Sequence, residues 1–188
     1  TLSAANIIIS GASNTDGPWP TWANLFQERY SGNFYNVSKK GLGNEAIISL
    51  ALHQAWQLKD QPEDILILVM LTNVDKWDWY VDRPDLVEKF SKEKHTITRL
   101  APTHSGGFWG TGRWFPLEKQ LYKDNFYSEN YHVLHTLQTI GLLQQVCRVN
   151  SWQYQILFDS PMAILLPQLK LVALELFPAV VVVSIVIH

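Results

Sequence analysis

The chain has 188 residues and a formal net charge of -2, with 15 basic and 17 acidic residues. Hydrophobic residues make up 47% of it and charged residues 17%, which excludes a disordered chain and indicates one globular domain over residues 1–188. No long basic run supports nucleic-acid binding, and the single cysteine, Cys147, excludes an internal disulfide. Because Cys147 sits in an apolar helical pattern, we expect a buried structural thiol.

The two ends of the sequence are unusual. The first residue is Thr1, and no basic segment followed by an apolar one marks a signal peptide. The last tract, "MAILLPQLKLVALELFPAVVVVSIVIH", is strongly apolar, but two prolines, a lysine and a glutamate interrupt it. We therefore expect a buried strand there and no membrane span. We also expect the part from about residue 160 to 188 to be divergent or incomplete.

Predicted strands and helices alternate along the chain. The apolar patterns predict strands and helices in the order strand 7–9, helix 18–30, strand 33–37, helix 44–58, strand 64–71, helix 128–148 and strand 152–158. Residues 82–118 contain a helix-like piece at 86–90 and a loop rich in Gly and Trp, and the last tract holds a further helix and strand. This alternation is typical of an α/β fold, an open, mostly parallel sheet with helices on both faces.

The turns after the first three strands carry the candidate site. Ser13 follows the first strand, Gly41 to Asn44 follow the second, and Asn73 follows the third. Ligand sites in such sheets form at the carboxyl ends of the strands, so we expect these turns to be neighbours. Asn44 is also expected to cap the helix that it precedes.

These blocks resemble the SGNH (GDSL-like) hydrolase family. "GASNT" stands for the family's serine block, "NVSKKGLGNEAI" for its glycine block and "ILILVMLTNVD" for its asparagine block. The resemblance covers about the first eighty residues in order and spacing, and is closest to divergent SGNH-like proteins encoded by bacteriophages. The sequence departs from the family pattern at Ala12, Leu71 and Val74.

The resemblance implies a flavodoxin-like, three-layer α/β/α sandwich and a serine esterase without metal or organic cofactor. Ser13 would be the nucleophile. The amides of Ser13 and Gly41, with the Asn73 side chain, would form the oxyanion hole, which stabilises charge that develops in the transition state.

The general base is the missing part of the resemblance. The family places an Asp-x-x-His pair after the last strand, and only His132 here follows an acidic residue at that spacing. His132 lies in the predicted helix before the last of these strands, so we interpret it as a helix-surface residue. His104, in the loop "APTHSGGFWG", is the candidate substitute base.

Aromatic and polar residues near these turns suggest the substrate. Trp77 and Trp109 could stack on sugar rings, and Asn44 could contact the substrate, which suits an ester on a carbohydrate; packing under a loop explains the tryptophans equally well. The acidic segment "DKWDWYVDRPD" at 75–85 is interpreted as a solvated loop, because it lacks the pattern of a cation-binding loop.

Two functions remain open at this point. The first is an SGNH-like serine hydrolase acting on a small ester or glycan ester. The second is a non-catalytic SGNH-like module for binding or assembly, such as a component of a phage particle. A cytoplasmic or virion-associated protein fits either function better than a secreted one.

Overall fold

A computed structural model describes residues 6–60, 64–74, 76, 78–81, 101–102, 108–111 and 128–158. In chain order the elements are β1 (Asn6–Gly11), α1 (Trp22–Glu28), β2 (Asn33–Asn36), α2 (Asn44–Gln57), β3 (Ile65–Leu71), β4 (Asp78–Val81), β5 (Ala101–Pro102), β6 (Phe108–Thr111), α3 (Glu129–Val149) and β7 (Gln153–Phe158). The predicted helix-like piece at 86–90 and the apolar tract after residue 160 lie outside the described residues.

Four strands form one parallel sheet in the order β2-β1-β3-β7. Every residue of β1 and of β3 is buried, as the apolar runs at 7–9 and 65–71 predict for central strands covered on both faces. The predicted α/β class with a mostly parallel sheet is therefore confirmed.

Helices contact both faces of this sheet. On one face, α1 packs its Ala23, Trp22 and Phe26 against alternate residues of the central strands, beginning with Ile7 and Ile9. On the other face, α2 and α3 pack against the intervening residues, such as Ile8 and Ile67. Along the sheet, the connection from β1 to β2 runs in one direction, and the connections from β2 to β3 and from β3 to β7 run in the other. Because such crossovers are right-handed, α1 must lie on one face and α2 and α3 on the opposite face.

The first helix is shorter than predicted. It begins at Trp22, where the sequence predicted a start at Pro18. The backbone N–H of Thr21 donates to Asn24 Oδ1 (2.9 Å), which fixes the first turn after Pro20. The prolines therefore lie before this helix, in the chain that leads to it.

A second, antiparallel sheet has the order β4-β6-β5. Sequence reasoning missed it: it interpreted residues 75–85 as a solvated loop, and 108–111 as part of a Gly/Trp-rich loop. The interpretation of the acidic segment is wrong for residues 78–81, which form β4. Aromatic and β-branched side chains in "DWYV" favour a strand, and the acidic residues around them obscured that pattern.

The helix α3 brings Cys147 into the core, where its side chain is fully buried and free. Burial raises the pKa of this thiol to about 12, so it stays protonated and inert. The predicted structural thiol is therefore confirmed. Among the helices that the structure describes, none has the length and apolar character needed to cross a membrane.

Candidate functional site

Three turns that carry predicted site residues leave adjacent strands at one edge of the parallel sheet. β1 lies between β2 and β3, with Ile9 paired to Asn36 and Gly11 paired to Met70. Ser13, Gly41 and Asn73 each follow one of these strands within a few residues. The sequence therefore correctly predicted that the three turns are neighbours.

The turn that carries Ser13 is a single helical turn directly after β1. The backbone N–H groups of Thr15 and Asp16 both donate to the Ala12 carbonyl, at 3.0 and 2.9 Å. A Cβ at Gly11, the last residue of β1, would overlap the Thr15 side chain, so the close return of this turn requires glycine there. Ser13 itself is only partly buried.

Hydrogen bonds join the second turn to the first. The backbone N–H of Lys39 donates to the Gly11 carbonyl (3.2 Å), and that of Lys40 donates to Asp16 Oδ2 (3.1 Å). Gly41 then has a φ of 94°, in the left-handed region that favours glycine. These bonds hold the Gly41 turn beside the Ser13 turn.

Asn44 joins the third turn to α2. Its Oδ1 accepts from the Thr72 backbone N–H (2.8 Å), and its Nδ2 donates to the Thr72 carbonyl (3.1 Å) and to Thr136 Oγ1 (3.4 Å). The side chain is buried, so these contacts favour a positioning role over the predicted contact with substrate. The predicted capping role is wrong, because the N-cap of α2 is Gly43 and Asn44 is already helical.

Asp78 supplies the cap that α2 lacks. Its carboxyl accepts from the backbone N–H of Gly43 (2.7 Å, Oδ1) and of Ala46 (2.9 Å, Oδ2). Gly43 has no side chain of its own to satisfy these helix N-terminal donors. A Cβ at Gly43 would lie 2.5 Å from Asp78 Oδ2 and 2.8 Å from the Lys76 carbonyl oxygen, so the approach of Asp78 requires glycine there.

The Asp78 carboxyl ionises with difficulty. Burial, with a smaller contribution from the nearby Glu45 carboxylate, raises its pKa from 3.8 to about 7. The two backbone donors and the Lys76 ammonium act in the opposite direction but are outweighed. Asp78 therefore titrates close to neutral pH.

A cleft of about 170 Å³ lies beside Asp78, between the start of α2, the chain after β3 and the start of α3. Its titratable side chains are those of Glu45, Lys76, Asp78, Tyr131, His132 and His135. Asn44, Val74 and Thr136 complete the lining. Of the predicted site residues whose side chains the structure describes, only Asn44 lines this cleft, while Asn73 directly precedes Val74, which also lines it.

His132 is buried and lines this cleft, so its interpretation as a helix-surface residue is wrong. It lies on the same face of α3 as the buried Thr136, Leu143 and Cys147, at offsets of four, eleven and fifteen residues. The four residues recur at helical spacing in the sequence, but His132 and Thr136 are polar and so did not indicate a buried face.

His135 lies one turn along from Tyr131 on α3. Its Nε2 is 3.8 Å from Glu45 Oε2, across the gap between α3 and α2. The Tyr131 ring is stacked on the His135 ring, with centroids 6.0 Å apart, and meets the His132 ring edge-on at 5.7 Å. An aromatic group thus forms the α3 wall of the cleft.

Three predicted site residues are not placed. His104 and Trp77 lie outside the described residues. Trp109 belongs to β6, where its backbone pairs with Tyr80 and Ala101, but its side chain lies outside the description. Within the described ranges, the Ser13 hydroxyl makes no hydrogen bond to a histidine, and no group of His, Cys, Asp and Glu side chains has an arrangement able to hold a metal ion.

No protein-family model matches the chain, and no curated protein sequence matches it. The resemblance to the SGNH hydrolases therefore stays a prediction from the residues quoted above.

Proposed function

We propose that this protein is an SGNH-like serine ester hydrolase with Ser13 as its nucleophile. The observation that carries the proposal is the convergence of the Ser13, Gly41 and Asn73 turns at the carboxyl ends of three adjacent parallel strands. Ligand sites in open α/β sheets form at this edge, where the direction of the strand order changes. Here that change lies at β1, the strand that Ser13 follows.

The proposed mechanism begins with attack of Ser13 Oγ on the ester carbonyl carbon. A general base takes the hydroxyl proton, and the carbonyl oxygen gains negative charge in the tetrahedral intermediate. The amides of Ser13 and Gly41 and the side chain of Asn73 would donate to that oxygen. The hydrogen bonds between the first two turns support this role, because an oxyanion hole needs donors that are held before the reaction starts.

The proposal includes the finer fold, a three-layer α/β/α sandwich of the flavodoxin-like SGNH type. The order β2-β1-β3-β7 and the contacts of α1 with one face and of α2 and α3 with the other support it. His104 is the residue that we assign as general base, on the sequence alone. A small ester or glycan ester is the proposed substrate, and neither a metal nor an organic cofactor takes part.

Hydrolysis of p-nitrophenyl acetate tests this function. We expect turnover above the buffer rate, and its loss to background in Ser13→Ala because no nucleophile remains. Ser31→Ala is the matched control, since Ser31 is an exposed serine between α1 and β2 and keeps full activity in this proposal. Equal activity in Ser13→Ala and Ser31→Ala would exclude Ser13 as the nucleophile.

Two observations favour a second function, that of a non-catalytic SGNH-like module for binding or particle assembly. Ala12 replaces the aspartate of the serine block, and within the described residues the Ser13 hydroxyl makes no hydrogen bond to a histidine. A serine without a base is a poor nucleophile at its ordinary pKa. Absence of turnover and of covalent labelling in folded protein would favour this second function.

A further inference from the structure

The cleft beside Asp78 is lined by polar and aromatic residues, none of which belongs to the Ser13 turn. It is bounded by four segments: the start of α2, the chain after β3, the start of β4 and the first two turns of α3. Like the Ser13 turn, it lies beyond the carboxyl end of a parallel strand, in this case β3. Its volume of about 170 Å³ suits a small molecule of the size of one sugar ring.

The polar lining of the cleft combines hydrogen-bond acceptors with donors. The lining includes the Glu45 side chain, which is 40% exposed, together with Lys76 as a possible donor and Thr136, whose hydroxyl also accepts from Asn44 Nδ2. Such a mixture is matched by hydroxyl groups, each of which donates one hydrogen bond and accepts two. A ligand that carries several hydroxyl groups can satisfy both kinds of side chain at once.

The α3 wall adds an exposed aromatic surface. Tyr131 is 52% exposed although it stacks on His135, and it is one of the residues that line the cleft. An exposed aromatic ring next to charged acceptors offers a ligand an apolar contact and hydrogen bonds together. A sugar ring has an apolar C–H face and a hydroxyl rim, which fit these two features.

Charged ligands fit this lining less well. The Glu45 carboxylate faces the cleft and opposes an anion such as phosphate, and the Asp78 carboxyl already occupies the N-terminal amides of α2. The Lys76 ammonium opposes an organic cation. Within the described residues no set of side chains is arranged to hold a metal ion.

We propose that this cleft binds the sugar ring of a neutral saccharide, with Tyr131 as the stacking surface and Glu45 and Lys76 as hydrogen-bond partners. One part of this proposal rests on the proposed function: the sugar would belong to the ester substrate and lie next to the scissile bond. Sugar binding itself requires no reaction at Ser13, so the two can be tested separately.

Saturation-transfer NMR with three probes tests the cleft: methyl β-D-glucopyranoside, methyl α-D-mannopyranoside and methyl N-acetyl-β-D-glucosaminide. We expect at least one probe to bind saturably, and Tyr131→Ala to weaken that binding about tenfold through loss of the stacking surface. Leu142→Ala is the matched control, because Leu142 is 54% exposed on the same helix and does not line the cleft. Glu45→Gln, which keeps the size of the side chain but removes its charge, should also weaken binding.

Two results would overturn the sugar site: no binding of any probe by the folded protein, or equal affinities for Tyr131→Ala and Leu142→Ala. The Ser13→Ala variant separates this proposal from the proposed hydrolase. We expect Ser13→Ala to keep its sugar binding. Sugar binding by a wild-type protein that shows no esterase activity would support the cleft and reject the enzyme. Esterase activity without sugar binding would reject the cleft and leave the enzyme in place.

Discussion

Asp78 caps the N-terminus of helix α2, because its carboxyl accepts hydrogen bonds from backbone N–H groups there. Gly43, the N-cap, has no side chain, and Asp78 satisfies its N–H and that of Ala46 from a segment more than thirty residues away. The two positions depend on each other, because only glycine leaves room for the carboxyl. Gly43 and Asp78 therefore form one structural unit that connects β4 to the main body.

The Gly43→Ala substitution tests this unit. A methyl group there would lie 2.5 Å from Asp78 Oδ2 and 2.8 Å from a backbone oxygen, so the carboxyl has to move. We expect a loss of about 1–3 kcal/mol in the free energy of unfolding, measured by urea denaturation. In Gly32→Ala the added methyl meets only the flexible end of Tyr30, and the expected change is under about 0.5 kcal/mol. Equal effects of the two substitutions would contradict the close approach of Asp78.

At the scale of elements, the apolar sequence predicts the parallel strands well and their connections less well. β3 is a continuous apolar run and β1 contains three consecutive isoleucines, which indicates buried, central strands. The cap of α2 was not predictable from local sequence, because Asp78 is distant in the chain and looked like one of several solvated acids. The burial of His132 was not predicted either, because a polar side chain on a buried helix face breaks the apolar pattern.

Asn44 connects three elements, and its removal should loosen all of them. In Asn44→Ala the Thr72 backbone N–H loses its partner in a buried position, which costs about 1–3 kcal/mol. We expect that loss in urea denaturation, together with faster hydrogen exchange of the Thr72 amide. Asn130→Ala is the control, because Asn130 is an exposed asparagine on α3. An Asn44→Ala protein as stable as Asn130→Ala would contradict the structural role of Asn44.

At the scale of the whole molecule, the two sheets both contribute residues to the region around the Ser13 turn and the cleft beside Asp78. The parallel sheet provides the Ser13, Gly41 and Asn73 turns, and the antiparallel sheet provides Asp78 from the first position of β4. The α/β class was predictable from the alternation of strands and helices. The second sheet was not, because its strands are two to four residues long and β4 pairs with β6 across a long sequence separation.

Asp78 makes the stability of the whole molecule depend on pH. Since its pKa is about 7 in the folded protein, against 3.8 ordinarily, the folded state binds more protons between these values. The free energy of unfolding should therefore fall as pH rises from about 4 to about 7, by up to roughly 4 kcal/mol from this group. Asp78→Asn should remove that part of the slope.

The comparison is made by urea denaturation at several pH values between 4 and 8. The control is Asp60→Asn, which changes an exposed carboxyl in the turn after α2 and should leave the slope unchanged. If the Asp78→Asn protein keeps the wild-type slope, Asp78 is not the group that titrates.

The most direct measurement is intact-mass labelling with a fluorophosphonate, which reacts with activated serine hydroxyls. We predict one adduct on the wild-type protein, none on Ser13→Ala and an unchanged adduct on Ser31→Ala. His104→Ala should slow labelling by a factor of about 10²–10⁴, the usual contribution of a general base, while His53→Ala should not slow it. A folded wild-type protein that takes up no label, or a Ser13→Ala variant that still takes it up, would contradict an activated nucleophile at Ser13.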